Sequence, residues 1–364
     1  MILRFDDTNP TKEKQEYIDS IKEDLIKLGI FADEFTHTSD HFELIADKCK
    51  WMIEKGKAYS DNTGVDQMRK ERWDGIASAN RENSVEENLR AWGEMQKGSE
   101  EGKTYCVRAK LSIDNNNKCL RDPVMYRCNE IPHPRTGTKW KCYPTYDFCC
   151  PLVDSHEGVT WALRTNEYAD RIAQYQWFLK ALELPKNNIY EFSRLNFVNT
   201  TLSKRKLTYF VEKGLVDGWT DPRFPTVSGI LRRGMLIQTL AEFMMEQGPS
   251  KSTVLMEWDK IWALNRKNID GIAGKFTAIE KSKTCLLTLT DLEDKLVATT
   301  HAVHPKNTSL GEKPVFHNNR LWLESDDVTL LEEGQKVTLM RLGNININKI
   351  TKLENGLFDI QAST

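Results

Sequence analysis

The chain has 364 residues, which is room for two or three domains of the usual size of roughly 100–200 residues. Its 51 lysines and arginines against 53 acidic residues exclude a generally basic nucleic-acid-binding chain, so any such site must be a local patch. No run of apolar residues approaches the roughly 20 that cross a bilayer, and no secretory leader is recognisable, so we expect a cytoplasmic protein without a membrane partner.

The first quarter of the chain predicts a strand followed by helices. In "MILRFDDTNPTKEK" a short apolar run ends at two acids, Asp6 and Asp7. Apolar periodicity predicts amphipathic helices over 10–29 and 41–59, each closed by a glycine. Three interpretations of the two acids remain open: a helix cap, a solvated turn, or a ligand at the carboxyl end of a parallel strand.

The following residues indicate a separate module inside an α/β sheet. Residues 60–142 contain turn-forming residues, a predicted helix over 84–98 and short strand-like runs, which together are typical of an α+β module. A buried strand is predicted within 139–154 and an amphipathic helix over 170–184. Strands and helices on both sides of the module predict a parallel sheet that carries an insertion.

After residue 230 the pattern is first helical and then β-rich. From about residue 270, short apolar runs such as "KFTAIE", "TCLLTLTDL" and "NININKITKL" are separated by Gly, Asn, Asp and Pro. This spacing predicts an all-β barrel or sandwich.

The cysteines point to reduced thiols. The eight cysteines include no Cys-x-x-Cys pair, and the chain is far longer than a secreted disulfide scaffold. Cys106, Cys119, Cys128 and His133 are irregularly spaced, so we expect no zinc site and assign no metal ligand.

The stretch "SRLNFVNTTLSKRKL" at 193–207 has the strongest functional pattern. Ser203 is followed by three cations, Lys204, Arg205 and Lys206, after a polar turn. One interpretation is a solvated face, as most basic runs are. The other is a loop that binds a polyphosphate through cations, hydroxyls and amides.

Together these stretches resemble a known family. "LRFDDTNPTKEKQEYIDSIKEDL", "SVEENLRAWGEM", "YPTYDF", "EGVTWALRT", "YEFSRLNFVNTTLSKRKL" and "GWTDPRFPT" are similar, in order, to the class I aminoacyl-tRNA synthetases of the glutamyl/glutaminyl subgroup, in their eukaryotic cytosolic and archaeal form. The resemblance implies ATP-dependent ligation of L-glutamate to tRNA(Glu) through a glutamyl-adenylate. A glutaminyl enzyme and an inactive tRNA-binding paralogue are the alternatives.

The resemblance also implies an architecture of α/β plus all-β class. A Rossmann-like catalytic domain, incomplete at its N-terminus, would comprise 1–40 and 143–194, split by an acceptor-stem-binding insertion at 41–142. Residues 195–270 would form a helical stem-contact region. Residues 271–364 would form an incomplete anticodon-binding β-barrel.

The family's glutamate-binding positions map onto three residues. Asp6 would hold the α-ammonium, and Tyr146 would line the pocket beside Arg164. Arg164 stands where glutaminyl enzymes carry cysteine, and a guanidinium binds a carboxylate bidentately, so glutamate is favoured over glutamine. Asp7 would be structural.

Further positions map onto the ATP and tRNA sites. Arg194 and Leu195, with Ser203 and Lys204, would contact ATP, which is used with Mg²⁺. Ser203, Lys204 and Arg205 would form the mobile catalytic loop. The implied contacts to the tRNA backbone are Arg205, Lys206, Arg232 and Arg233. Other synthetases or an assembly factor are further expected partners.

One family motif has no counterpart in this sequence. His-Ile-Gly-His belongs before "LRFDDTNP", where only Met1 and Ile2 stand. A fragment, an incomplete gene model or a paralogue would each account for this, and a fragment or mis-assigned start is favoured because the adenylation loop and amino-acid pocket are intact. We expect weak or no adenylate formation by the chain as written.

Overall fold

The structure, a computed structural model, describes residues 1–11 and 15–364. It divides into two compact units, Met1–Trp258 and Asp259–Thr364. Within the described residues no helix has both the length and the apolar character required to cross a membrane.

The first unit alternates short strands with helices. Its elements are, in chain order, β1 (Ile2–Phe5), α1 (Gln15–Lys27), β2 (Glu34–His37), α2 (Phe42–Glu54), β3 (Ala58–Asp61), α3 (Val65–Asp74), α4 (Val85–Lys97), β4 (Cys106–Ala109), β5 (Val124–Cys128), β6 (Cys142–Pro144), α5 (Tyr146–His156), β7 (Trp161–Thr165), α6 (Ile172–Ala181), β8 (Asn188–Phe192), β9 (Asn196–Phe197), α7 (Lys204–Glu212), α8 (Val227–Arg232), α9 (Ile237–Gln247) and β10 (Leu255–Met256).

Parallel and antiparallel strands are separated as the sequence predicts. The strands β1 and β2 pair in parallel, as do β7 and β8, and β9 and β10. Between the first two pairs in the chain, β3, β4, β5 and β6 form an antiparallel four-stranded sheet. The α/β class with an insertion is therefore confirmed. In the described residues, however, the parallel strands form three pairs and not one continuous sheet.

The helix α4 forms where local signals predict it. Ser84 accepts a hydrogen bond from the backbone N–H of Glu87 at 3.1 Å and so caps the helix N-terminus. Gly98 ends the helix in the left-handed region, with φ of +68°. Trp92 and Met95 on its inner face are buried in the main core of the unit.

The buried strand predicted within 139–154 forms, but it is short and most of this range is helical. The strand β6 covers only Cys142–Pro144 and joins the antiparallel sheet, and the helix α5 begins at Tyr146. The buried apolar residues of α5 recur at helical spacing, which the continuous apolar run conceals: Phe148, Cys149, Leu152 and Val153.

The helix α1 forms, but its apolar stripe is largely at the surface. Ile18 is buried, whereas the side chains of Ile21 and Ile26 are 46% and 60% exposed. The part of the predicted helix at 12–14 lies outside the described residues.

The rest of the chain is β-rich, as predicted. Its elements are α10 (Trp258–Asp270), β11 (Thr284–Leu289), β12 (Val297–Ala302), β13 (Glu312–His317), β14 (Arg320–Glu324), α11 (Ser325–Val328), β15 (Lys336–Leu339), β16 (Gly343–Lys352) and β17 (Phe358–Ser363). Five strands form a sheet in the order β14, β11, β17, β16, β15, and β12 pairs with β13 as a hairpin. The apolar run at 275–280 is a loop and not a strand.

Candidate active site

A cavity of about 560 Å³ lies in the first unit, between β1, α5 and β7. Apolar side chains of the two strands line much of its wall, and polar groups lie at the carboxyl ends of the strands. Asp6, Tyr146 and Arg164, which the sequence assigns to one amino-acid pocket, all line this cavity. The structure therefore brings the three together from positions far apart in the chain.

Asp6 presents a carboxyl group directly after β1. Burial raises its pKa to about 6, and the neighbouring charge of Asp7 acts in the same direction. The Cys149 thiol donates a hydrogen bond to Asp6 Oδ1 at 3.6 Å, which partly opposes this shift. An ionised Asp6 would be stabilised by a cation bound in the cavity.

Asp7 has a structural role. Its side chain is buried and accepts hydrogen bonds from the backbone N–H of Ser39 at 2.8 Å and from the Ser39 hydroxyl at 2.6 Å. These bonds attach the turn after β2 to the end of β1. Asp7 thus holds the backbone on which Asp6 is placed.

Arg164, near the end of β7, is a buried cation without a carboxylate partner among the described residues. The residue is 9% exposed, and its guanidinium carbon lies 5.2, 5.3 and 5.5 Å from the ring centres of Tyr146, Tyr168 and Tyr175. Among the described residues no carboxylate pairs with it, and its Nε atom has no hydrogen-bond partner. A buried guanidinium without a counterion is suited to an anionic ligand.

Sequence reasoning missed two members of this aromatic cage. Tyr168 lies in the turn between β7 and α6, and Tyr175 lies on α6, where the sequence indicates only a helix. Their approach to Arg164 depends on the packing of α6 beside β7, which no local pattern reports.

A second arginine of the cavity has its charge offset. Arg4 on β1 forms ion pairs with Asp154 and, at 3.2 Å, with Glu157. Asp154 also accepts a hydrogen bond from the Tyr175 hydroxyl at 2.6 Å. The two arginines of the cavity therefore differ, because Arg4 has carboxylate partners within the protein.

The predicted phosphate-binding residues lie at the start of α7 and do not line the cavity. Ser203 is the N-cap residue of this helix. The Lys204 ammonium lies over the ring of Tyr17, 3.1 Å from its centre, while Arg205 and Lys206 are exposed. Their assignment to a catalytic phosphate loop remains a prediction.

The other predicted nucleotide and tRNA residues also lie outside the cavity lining. Arg194 is exposed and forms an ion pair with Glu167 at 2.9 Å, and Leu195 directly precedes β9. Arg232 and Arg233 are exposed at the end of α8. The roles of these four residues in ATP and tRNA binding remain predictions.

Among the described residues, no group of three metal-ligating side chains joins His133 to the cysteines considered for zinc. The Nε2 atom of His133 is hydrogen-bonded to the backbone carbonyl of Asp7 at 2.6 Å, and its Nδ1 atom accepts two backbone N–H groups. Both ring nitrogens are engaged within the protein. Cys106, Cys119 and Cys128 are free thiols.

Two family models match the chain. The model of the catalytic domain of class I tRNA synthetases (E and Q) matches residues 1–271. The model of the anticodon-binding domain of the same group matches residues 273–361.

The chain is also similar to named proteins. It is 53% identical to the bifunctional glutamate/proline–tRNA ligase of Drosophila melanogaster, over 98% of this chain and 21% of that protein. It is 52% identical to the cytoplasmic glutamate–tRNA ligase of Saccharomyces cerevisiae, over 96% of this chain and 49% of that protein. The chain thus spans half or less of the length of these relatives.

A solved structure supports the same fold. The glutamate tRNA ligase of Elizabethkingia meningosepticum, determined in complex with its amino acid, superimposes with a TM-score of 0.51 at 15% identity. The match covers 74% of this chain and 62% of that chain.

Proposed function

We propose, from the premise that this chain belongs to the class I tRNA synthetases of the E and Q group, that it takes part in the ATP-dependent ligation of L-glutamate to tRNA(Glu). The observation that supports glutamate is the unpaired guanidinium of Arg164 in a cavity that also contains Asp6. Since Arg4 and Asp154 of the cavity pair with each other, Arg164 and Asp6 remain as a cation and a carboxyl group for a ligand that carries both charges.

Asp6 and Arg164 would orient the amino acid. Asp6 would accept hydrogen bonds from the α-ammonium, whose charge favours the ionised form of a carboxyl group with a raised pKa. Arg164 would bind the side-chain carboxylate, and the ring of Tyr146 would pack against the guanidinium and fix its position. The α-carboxylate would then be left free to react.

The same geometry would discriminate against glutamine. A neutral amide would leave the buried guanidinium without a counterion, which costs several kcal/mol by the usual penalty for a buried unpaired charge. The cage of tyrosines holds Arg164 in place and does not supply a negative charge. Discrimination would therefore come from an unmet charge and not from ligand size.

The chemistry would proceed in two transfers. The glutamate α-carboxylate attacks the α-phosphorus of ATP and pyrophosphate leaves, and a terminal ribose hydroxyl of tRNA then attacks the adenylate carbonyl and AMP leaves. The protein would act mainly by positioning and charge stabilisation. Arg194, Leu195 and the loop of Ser203, Lys204 and Arg205 would contact ATP, which enters with Mg²⁺.

The cations Arg205, Lys206, Arg232 and Arg233 would contact the tRNA backbone. All four are exposed. A chain with a net charge of −2 must concentrate its cations to bind a polyanion. We place the activity in the cytoplasm, and the relative that combines glutamate and proline ligases makes another synthetase a reasonable partner.

The first experiment is a binding measurement, because it tests the pocket without requiring both transfers. Calorimetric titration should show that L-glutamate binds more tightly than L-glutamine and that Asp6→Asn weakens glutamate binding. Preference for glutamine would favour a glutaminyl enzyme. Binding of tRNA(Glu) without any binding of glutamate would favour the tRNA-binding module.

A second experiment tests the ligation itself. Charging of tRNA(Glu) is measured with labelled glutamate and ATP, and with Lys204→Ala as a variant of the predicted phosphate loop. Slower charging by this variant with unchanged glutamate affinity would support its assignment to ATP. Equal charging by variant and wild type would contradict it.

A further inference from the structure

Three side chains of the cavity place metal-ligating atoms together. A carboxylate oxygen of Asp6 and the sulfur atoms of Cys149 and Cys150 all lie within 4.8 Å of one another. In residues 1–11 and 15–364 no other group of three His, Cys, Asp or Glu side chains meets this distance. We propose that these three atoms form a binding site for a thiophilic divalent cation, Zn²⁺ in the cell and Cd²⁺ as its probe.

The fold holds the three ligands on two elements. Cys149 and Cys150 are consecutive residues of α5, and Asp6 follows the end of β1. The Cys149 thiol already contacts Asp6 Oδ1 at 3.6 Å and the Tyr146 carbonyl at 3.5 Å, which orients it toward the carboxylate. Cys149 is buried, while Asp6 and Cys150 line the cavity, which gives a cation a route to the site.

The ligand set matches the preference of this class of ion. Two thiolates and one carboxylate select Zn²⁺ or Cd²⁺ over Mg²⁺ and Ca²⁺, which prefer oxygen ligands. Three protein ligands leave a further coordination position for a water molecule, as in open zinc sites. No Cys-x-x-Cys pattern marks this site, because its two cysteines are adjacent and its third ligand, Asp6, is distant in the chain.

The charges around the three ligands affect the net charge of the metal-bound site. Two thiolates and a carboxylate outweigh the charge of a divalent cation by one, and the unpaired guanidinium of Arg164 in the same cavity offsets that excess. Zinc and cadmium bind cysteine as the thiolate, so cation binding releases the thiol protons.

The site has a regulatory consequence that depends on the proposed function. A cation on Asp6 occupies the carboxylate that would hold the glutamate ammonium. The cation and glutamate would then exclude each other, and zinc would act as a competitive inhibitor of glutamate binding. The ion would have no part in the ligation chemistry.

The test is titration of the metal-free chain with CdCl₂, followed by the ultraviolet charge-transfer absorbance of cadmium thiolates. We expect one tight site per chain. Cys150→Ser should weaken it at least tenfold, and Cys149→Ser should do the same. Cys285→Ser, in the β-rich unit, is the matched control and should leave the site intact. Circular dichroism with a chelator present identifies any variant that fails to fold, and Cys150, which lines the cavity, is the variant least exposed to that problem.

Glutamate is then added to the cadmium-loaded chain. Displacement of Cd²⁺ by glutamate supports both the site and its overlap with the proposed pocket. Loss of the absorbance in both cysteine variants without displacement by glutamate supports the metal site and counts against the glutamate pocket. Unchanged cadmium affinity in folded Cys149→Ser and Cys150→Ser overturns the proposal.

Discussion

Replacement of Arg164 by methionine separates the binding role of this residue from its role in the fold. Methionine has a similar length and removes only the charged, hydrogen-bonding end of the side chain. In the structure that end contacts three tyrosine rings and has no carboxylate partner among the described residues. The substitution therefore removes a charge that a ligand carboxylate would pair with and that no carboxylate of the described residues pairs with.

The expected loss of glutamate affinity is large. Removal of one member of a buried, hydrogen-bonded charge pair costs about 2–5 kcal/mol, which corresponds to a roughly 30- to 5,000-fold weaker affinity. Glutamine affinity should change much less, since its amide forms no ion pair with the guanidinium. The ratio of the two affinities should therefore collapse toward one.

The expected change in stability of the free protein is small, because two effects oppose each other. Three cation–π contacts of about 1 kcal/mol each are lost, which together disfavour the variant by about 3 kcal/mol. The burial penalty of an unpaired charge, also several kcal/mol, is relieved. We expect the free energy of unfolding to change by less than about 2 kcal/mol.

Isothermal titration with glutamate and glutamine, together with urea unfolding of the free protein, measures both quantities. Arg171→Met is the matched control. Arg171 lies 5.0 Å from the ring centre of Tyr168, but its charge is paired with Asp147 at 3.0 Å, so glutamate affinity should be retained. Wild-type glutamate affinity in folded Arg164→Met would refute the role assigned to Arg164. Loss of folding in that variant alone would show that its charge is structural.

Three further changes test the packing of the insertion module. Asp61→Asn should cost about 3–5 kcal/mol, because it leaves buried Arg108, now paired at 2.7 Å, without a counterion. Burial raises the pKa of Asp61, but its hydrogen bonds outweigh this effect and lower the pKa overall. Urea unfolding should therefore show that the stability of the wild type falls below pH about 4, as Asp61 becomes protonated, and that the stability of the variant falls less. Gly102→Ala should lower the melting temperature, at a cost of about 1–3 kcal/mol, because its Cβ would lie 2.2 Å from the Glu94 carbonyl oxygen. Gly93→Ala in α4, where a Cβ meets nothing within 4 Å, should raise stability by about 0.4–1 kcal/mol, and the opposite order of these two variants would contradict the packing described.

Elements governed by local chemistry could be predicted from the sequence. The helix α4 begins at a serine cap and ends at a left-handed glycine, and both signals are contained in the segment itself. The β-rich end follows from short apolar runs between turn residues. Within 139–154 the sequence indicates the strand but not the helix α5, because a nearly continuous apolar run fits a buried strand and a buried helix equally well.

The site could be predicted only in part. Asp6, Tyr146 and Arg164 were found through the family resemblance, and the structure places them around one cavity. Tyr168 and Tyr175 were missed because their approach to Arg164 depends on tertiary packing of α6. The lack of a counterion at Arg164 could not be predicted either, since a sequence does not show which arginine forms an ion pair.

The contrast between the two arginines of the cavity explains why Arg164 and not Arg4 would select the ligand. Arg4 is paired with Asp154 and Glu157, so a ligand carboxylate would have to displace a carboxylate that is already held. Asp154 is itself fixed by the Tyr175 hydroxyl, the same tyrosine whose ring contacts Arg164. Tyr175 therefore contacts both Arg164, through its ring, and the partner of Arg4, through its hydroxyl. Tyr175→Phe retains the ring at Arg164 and loses the bond to Asp154, so we expect modest destabilisation of about 1–2 kcal/mol with glutamate selectivity preserved. Loss of selectivity in this variant would mean that the partners of Arg4, and not the missing partner of Arg164, determine which amino acid is bound.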